Sequence, residues 1–598
     1  MPQTRSFLLL ALAFVGYLLW TQWQHDYHTP APAQPAAATA SSAPTPSDLD
    51  ASVPSAASAP ALTASASMPA APSSSAGVPS APNQRVVGAK AAAKPTAEHG
   101  PLVTVTTDVL RLTIDSRGGS IIRSAMLKYP AKLKSKDSVQ LFSDSASHFF
   151  VAQSGLLSRD GAAPDQRALF HAARSHYTLE PGQKSLSVDF TWTDASGVKV
   201  VKRYTFTRGS YVVGLDQQVD NGSAKAWTGW PYRQLQRVVP PEPVHNNFLA
   251  KWSDQSRYSF FGAAWYGPEA KFNKIKFDDF AKDALNKKVT GGWMAMEQHY
   301  FMAAWLPQEK KAQQFSTHVV DGSNPRYLIR ELGPGFQVAP GAQAGSQSRL
   351  YVGPKLRNEL GGIAPGLDLS VDYGMFTVVA APMHMLLTWF HRMTGNWGLA
   401  IILVVLLINV LLYKLNAAQY RSAAKMRKLK PRMDALKERY GDDKQKLQQA
   451  TMEMYKKEKI NPVAGCFPLL VQIPVFFALY TVLRESVELR QAPFIGWIHD
   501  LSAADPYFVL PILYMGVMLL TQRLMPMTAS MDATQAKIMK WMPIIYPVFF
   551  AFFPSGLVLY YLVNGLCRVA QQWWVMRQFD AGDNHKGGKG GGKKLKPA

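Results

Sequence analysis

Asn409, Gln472, Gln522, Asn564 and Arg568 are polar side chains set inside otherwise apolar runs in the last third of the chain. Amide and guanidinium groups in such surroundings make and break no covalent bonds. They hold water, one another or a polar guest, because a buried polar group without a partner is costly. Tyr561, Asn564 and Arg568 recur at i, i+3 and i+7, which puts them on one face of a helix. Pro462, Pro468, Pro474, Pro511, Pro543, Pro547 and Pro554 fall in or beside the same runs. Each frees backbone groups that neighbours or water must satisfy. Hydrogen bonding between helices is the plainest use of the polar groups. Combined with the breakers, they favour a wet cavity. Elsewhere the chemistry is thin. His171, His245 and His299 are scattered, and residues 101–355 show no metal-ligand spacing, nucleophile elbow or phosphate loop. A structural or solvated role is expected for each histidine, with no catalytic residue, metal or cofactor.

Five apolar runs carry these groups: Trp397–Tyr413, Val463–Leu483, Tyr507–Gln522, Trp541–Phe553 and Leu557–Trp574. A straight transmembrane helix needs ~20 residues, or as few as ~17. The third and fourth runs are short, so they thin the bilayer or pack inside a bundle. A soluble core fails because so many runs in 180 residues leave too little polar surface. The loop 414–462 carries 14 Lys/Arg against 6 Asp/Glu, the loop 484–506 two Arg against four acids, and the tail 577–598 six Lys/Arg. The positive-inside rule places the first loop and the tail in the cytoplasm. The net charge of +23 is then mainly a topology signal, and DNA is not an expected partner. Residues 6–20, SFLLLALAFVGYLLW after Arg5, read as a retained anchor (1–28), followed by a disordered Ala/Pro/Ser linker (29–100). Six spans result, with both termini cytoplasmic.

Between anchor and runs, period-two alternation in LVTVTTDVLRLTIDSRGG and SLSVDFTWTDASGVKVVKRYTFTRGSYVVGLDQQV predicts antiparallel strands. Turns are expected at Ser116–Gly119, Asp194–Gly197 and Arg208–Ser210. The exported part (101–370) is read as a large β-sandwich, stabilised without disulfides because both cysteines, Cys466 and Cys567, lie in the apolar segments. Residues 371–396, broken by Pro382, His384 and Arg392, suit a helix lying in the membrane interface. The loop 414–462 is read as a cytoplasmic helical hairpin broken at Gly441–Asp443. Its Met426, Met433 and Met454 are either the hairpin's own seam or a docking surface for a flexible apolar partner.

The stretches NPVAGCFPLLVQIPVFFALY (Asn461–Tyr480), SVELRQAPFIGWIHDLSAADPY (Ser486–Tyr507), FPSGLVLYYLVN (Phe553–Asn564), AQYRSAAKMRKL (Ala418–Leu429) and VDYGMF before GNWG resemble the YidC membrane-protein insertases of the Oxa/YidC/Alb superfamily, in the Gram-negative form with a large periplasmic domain. The resemblance covers nearly the whole chain. It implies an inner-membrane insertase and chaperone with five core spans, an anchor helix and a periplasmic β-supersandwich. Nascent membrane proteins would enter a hydrophilic groove and leave sideways into lipid, alone or with the Sec translocon. The ribosome, through the hairpin and basic tail, and membrane lipids are further implied partners. The resemblance puts Gln472, Phe476, Tyr560 and Tyr561 in the groove, with Phe552 where a Trp is often found; Gln522 and Asn564 join the candidate lining as polar groups within the apolar runs. The family's groove arginine falls at Asn409. Arg568 is the candidate replacement: Asn409 and Arg568 each lie 12 residues from the outer edges of their runs, taken at Trp397 and Gly556. Both are therefore about 18 Å deep at a rise of 1.5 Å per residue. Asn409 is expected to hydrogen-bond Arg568 or water, and snorkelling of Arg568 to headgroups is the alternative. A transporter or channel using the same groove is the second functional reading, disfavoured because no inverted repeat is visible. An anchored mutarotase is a third, and it lacks an acid/base pair.

Overall fold

The alternating segments become strands because every second side chain finds an interior. In Val198–Thr207, Val198, Val200, Lys202, Tyr204 and Phe206 are buried, while Lys199, Arg203 and Thr207 are exposed. The computed structural model describes residues 99–159, 162–241, 259–307, 311–441, 443–458, 467–524 and 533–587. The anchor and nearly all of the linker, with Pro462, His245 and the tail beyond 587, lie outside them. The described chain divides into two units, a β unit that ends at Gly353 and a helical unit from Pro354 onward. Residues 357–363 and 367–370 are short helices of the second unit.

In the β unit the described strands form an 11-stranded and a 9-stranded sheet, almost wholly antiparallel. The expected turns are present, with Gly118, Gly119, Gly197 and Gly209 all at positive φ, where glycine has no steric penalty. Leu215, Leu235, Ile329 and Leu350 supply apolar core. A polar layer crosses it. Lys202 Nζ donates to Gly118 O (2.7 Å), Ser154 O (2.7 Å) and Ser154 Oγ (3.2 Å). Arg233 Nη1 pairs with Glu331 Oε1 at 2.7 Å, both side chains within 1% of full burial. Burial pushes the Lys202 ammonium down from its ordinary value to about 7.

The helical unit opens with α1 (Arg357–Ile363) and α2 (Thr377–Thr394). The second has Val378, Met385, Trp389 and Met393 exposed, opposite a buried Ala380, Met383, His384 and Leu387. Gly395 ends it at φ 67°, and Asn396 starts α3 (Trp397–Leu411) by accepting from Leu399 N–H at 3.1 Å. At Leu412 the chain bends by 62° into α4 (Tyr413–Lys428), so the first apolar run ends two residues earlier than expected. Helices α5 (Lys430–Tyr440) and α6 (Lys444–Lys457) flank the Gly441–Asp443 break. Asp443 caps α6 through Lys446 N–H at 3.0 Å. There follow α7 (Phe467–Glu485), α8 (Val509–Leu524), α9 (Ala533–Phe550) and α10 (Ser555–Gly587). The fourth run thus begins its helix eight residues before Trp541, and the fifth continues well past Trp574. Pro468 and Pro511 sit in first turns, where no intrahelical N–H is lost. Pro474, Pro543 and Pro547 lie inside helices.

Among the described residues no single helix is long and apolar enough to cross a membrane, while the bent pair Trp397–Leu411 and Tyr413–Met426 meets that test jointly. The bundle nevertheless turns large apolar side chains outward: Val410 (71% exposed), Ile512, Ile545, Val548 and Leu566 on four different helices.

Candidate functional site

Helix α10 carries most of the polar groups, and α3 and α7 face it. Asn409 on α3 is buried and donates from Nδ2 to Asn564 Oδ1 and to Val405 O, both at 2.9 Å. Gln571 Nε2 donates to Asn409 O at 3.3 Å, and Asn416 Nδ2 donates to Gln571 Oε1 at 3.1 Å. On the α7 side, Gln472 Nε2 donates to Tyr560 Oη, and Arg568 Nη2 donates to Gln472 Oε1 at 3.3 Å. Two short polar chains therefore leave α10, one toward α3 and one toward α7.

The expected contact between Asn409 and Arg568 is replaced by a different pairing. Asn564, one helical turn before Arg568, stands opposite Asn409, so counting from the run edges misjudged the offset between helices by a turn. Arg568 instead reaches Gln472, a half-buried groove candidate on α7.

Beside this network lies an aromatic cluster. Tyr561 packs against Phe550 (ring centroids 4.6 Å apart), Tyr560 (5.3 Å), Phe476 (5.5 Å), Tyr514 (5.7 Å) and Tyr546 (6.4 Å). Phe476, Tyr560 and Tyr561 are thus brought together. Phe550 is in the cluster and nearly fully buried, whereas Phe552 lies half-buried on the turn after α9. Gln522 is half-buried near the end of α8. Tyr514, Tyr546, Phe550, Asn416 and Gln571 were missed. Tyr546 and Phe550 are spaced i, i+4, a signal that was available.

The hairpin methionines resolve toward a seam. Met433 is buried with Leu429 and Tyr455, and Met426, Met452 and Met454 pack on them. Tyr455 Oη donates to Met433 Sδ at 3.5 Å. Met433 is closed to a docking partner for that reason, and Met426 and Met454 remain half-buried. Among the histidines, His171 is exposed and His299 is buried and stacked on Tyr300 at 3.7 Å. Among the described residues no cluster of His, Cys, Asp or Glu is placed to hold a metal ion.

Residues 102–386 match a family model described as the YidC periplasmic domain, and residues 389–583 one described as a 60Kd inner membrane protein. A protein of Thioalkalivibrio sulfidiphilus named membrane protein insertase YidC is 42% identical, over 97% of this chain and 99% of its own length. Its namesake in Xanthomonas campestris pv. campestris is 43% identical over 97% of this chain and 98% of its own. A solved structure titled as an active YidC insertase aligns with TM-score 0.36 and 19% identity, covering 79% of this chain and 92% of that one. On the two family models and the nearly full-length relatives, the chain belongs to the YidC membrane protein insertase family.

Proposed function

We propose that this protein inserts nascent membrane proteins into the bacterial inner membrane by receiving them against the polar face of α10. The observation that carries the reading is the Arg568–Gln472–Tyr560 chain beside the Asn409–Asn564 pair. It holds a cation and amides within a bundle whose outer surface is apolar. Water around such groups shortens the hydrocarbon path that a polar terminus must cross. The apolar segment then leaves into lipid, favoured by about 0.8 kcal/mol for each buried CH₂. No bond is made or broken, so no catalytic residue is invoked.

Arg568 takes the part of the groove cation that the family places at position 409. Asn409, Gln472, Phe476, Gln522, Phe552, Tyr560, Tyr561 and Asn564 are its proposed surroundings. Helices α3 and α7 to α10 are the five core spans, short individually and joined by the anchor as a sixth, with both termini cytoplasmic. The outward apolar side chains face lipid, since so large an apolar surface in water promotes aggregation. The β unit is periplasmic, α2 lies in the interface, and the hairpin α5–α6 is cytoplasmic. The Sec translocon and the ribosome are the proposed partners.

Photocrosslinking from Gln472, Tyr561 and Arg568 to a stalled nascent membrane protein tests this. Adducts are expected from these positions and none from the outward Val410. Full rescue of an insertase-depleted strain by Arg568→Ala would refute the role given to Arg568.

A further inference from the structure

Residues 128–137, KYPAKLKSKD, set Lys128, Lys132, Lys134 and Lys136 against the one acid Asp137. All four lysines are exposed, and Leu133 is 44% exposed between two of them. The tip is held in shape. Ala131 N–H donates to Asp137 O at 2.6 Å, Ser135 N–H to Lys132 O at 3.0 Å, and Asp137 N–H to Ser135 Oγ at 3.0 Å. Lys134 adopts φ 61°, a left-handed conformation that a side-chain-bearing residue adopts only at a cost. The fixed turn thus displays an exposed leucine ringed by lysines. It matches a bilayer surface, where the lysine stems lie along apolar material and the ammonium groups meet phosphates.

The Tyr129 ring packs on Tyr211 (6.4 Å) and Phe301 (5.6 Å), and Val352 N–H donates to Tyr211 O at 2.9 Å. The turn therefore lies at the end of the sandwich where strand Gln343–Pro354 finishes. In chain order, residues 354–376 follow that strand and precede α2.

We propose that residues 128–137 are a lipid-docking finger, with Leu133 entering an anionic phospholipid leaflet and the four lysines pairing with its phosphates. This rests on the reading above that the helical unit lies in the membrane. The test uses the full chain with Cys466→Ser and Cys567→Ser, and an environment-sensitive dye on a single introduced cysteine. Three versions are compared: Leu133→Cys, Val410→Cys on the outward face of α3, and Leu169→Cys, an exposed site beside Gly100 and Arg117. Each is reconstituted in nanodiscs of phosphatidylcholine alone or with phosphatidylglycerol. At Leu133 the emission should shift to the blue, with several-fold less access for an aqueous quencher, only in the anionic discs. Lys132→Gln/Lys134→Gln/Lys136→Gln should abolish the shift, and Leu169 should show none. An unshifted Leu133 in anionic discs, or an equal shift in phosphatidylcholine, overturns the finger. A water-exposed dye at Val410 in both lipids overturns the membrane reading itself.

Discussion

Replacing Arg568 by methionine keeps the side chain's length and removes its charge and its donors to Gln472. Insertion of substrates whose translocated segment carries an acidic residue should fall several-fold, while substrates with neutral segments change little. Arg568→Lys should retain part of the activity, since it restores the charge without the planar fork. Insertion into proteoliposomes, read by protease protection, measures all three. The Asn409–Asn564 pair calls for a double-mutant cycle. Asn409→Leu leaves Asn564 Oδ1 without this donor and Asn564→Leu leaves Asn409 Nδ2 only its bond to Val405 O, whereas the double variant removes both partners at once, so the double should cost less than the sum. Hydrogen bonds between membrane helices are worth about 0.6 kcal/mol on average and ~1.7 at most, so a coupling energy of that order is expected from unfolding in mixed micelles. These partners were only half legible. Spacing alone put Tyr561, Asn564 and Arg568 on one face, but which of them opposes Asn409 depends on the relative axial shift of two helices, and no single chain segment encodes that shift.

At the level of elements, α3 is seated by the absence of a side chain. A Cβ on Gly398 would lie 2.0 Å from Cδ2 of Phe494, whose carbonyl also accepts from Asn396 Nδ2 at 2.9 Å. Gly398→Val should therefore destabilise the helical unit by about 1–3 kcal/mol, the usual range for overpacking. Phe494→Ala should recover part of the loss, as read by thermal inactivation in detergent. The strands and their turns followed directly from alternation and glycine placement, because each reports a local preference. Helix ends were harder. Trp541 looked like a start because hydrophobicity begins there, yet α9 opens at Ala533 with Gln535, Lys537 and Lys540 already helical. The bend at Leu412 has no proline or glycine to announce it.

At the scale of the whole molecule, the stability of the β unit depends on pH through Lys202. The unfolded chain keeps Lys202 protonated up to its ordinary value near 10.5, while the folded one releases the proton near 7. Between those values the unfolded state binds more protons, so the stability of the β unit should rise with pH, by up to about 1.4 kcal/mol per pH unit. Hydrogen exchange across Val198–Thr207, corrected for the intrinsic rate, should show growing protection from pH 7 to 9. Lys202→Met should flatten that rise. A steady fall in protection for the natural chain would contradict the assignment. The buried Lys202 was invisible in sequence, since its strand alternates as if that position were ordinary core, while the Arg233–Glu331 pair sits on strands buried on both faces, where alternation gives no guide.

Helix α10 runs unbroken through 33 residues from Ser555 to Gly587, a rod of about 50 Å. Arg568 lies partway along it, and Arg577 with the residues toward Gly587 forms its far arm. No break separates Arg568 from the residues near Gly587, so the groove candidate and that distal arm share one continuous hydrogen-bonded backbone.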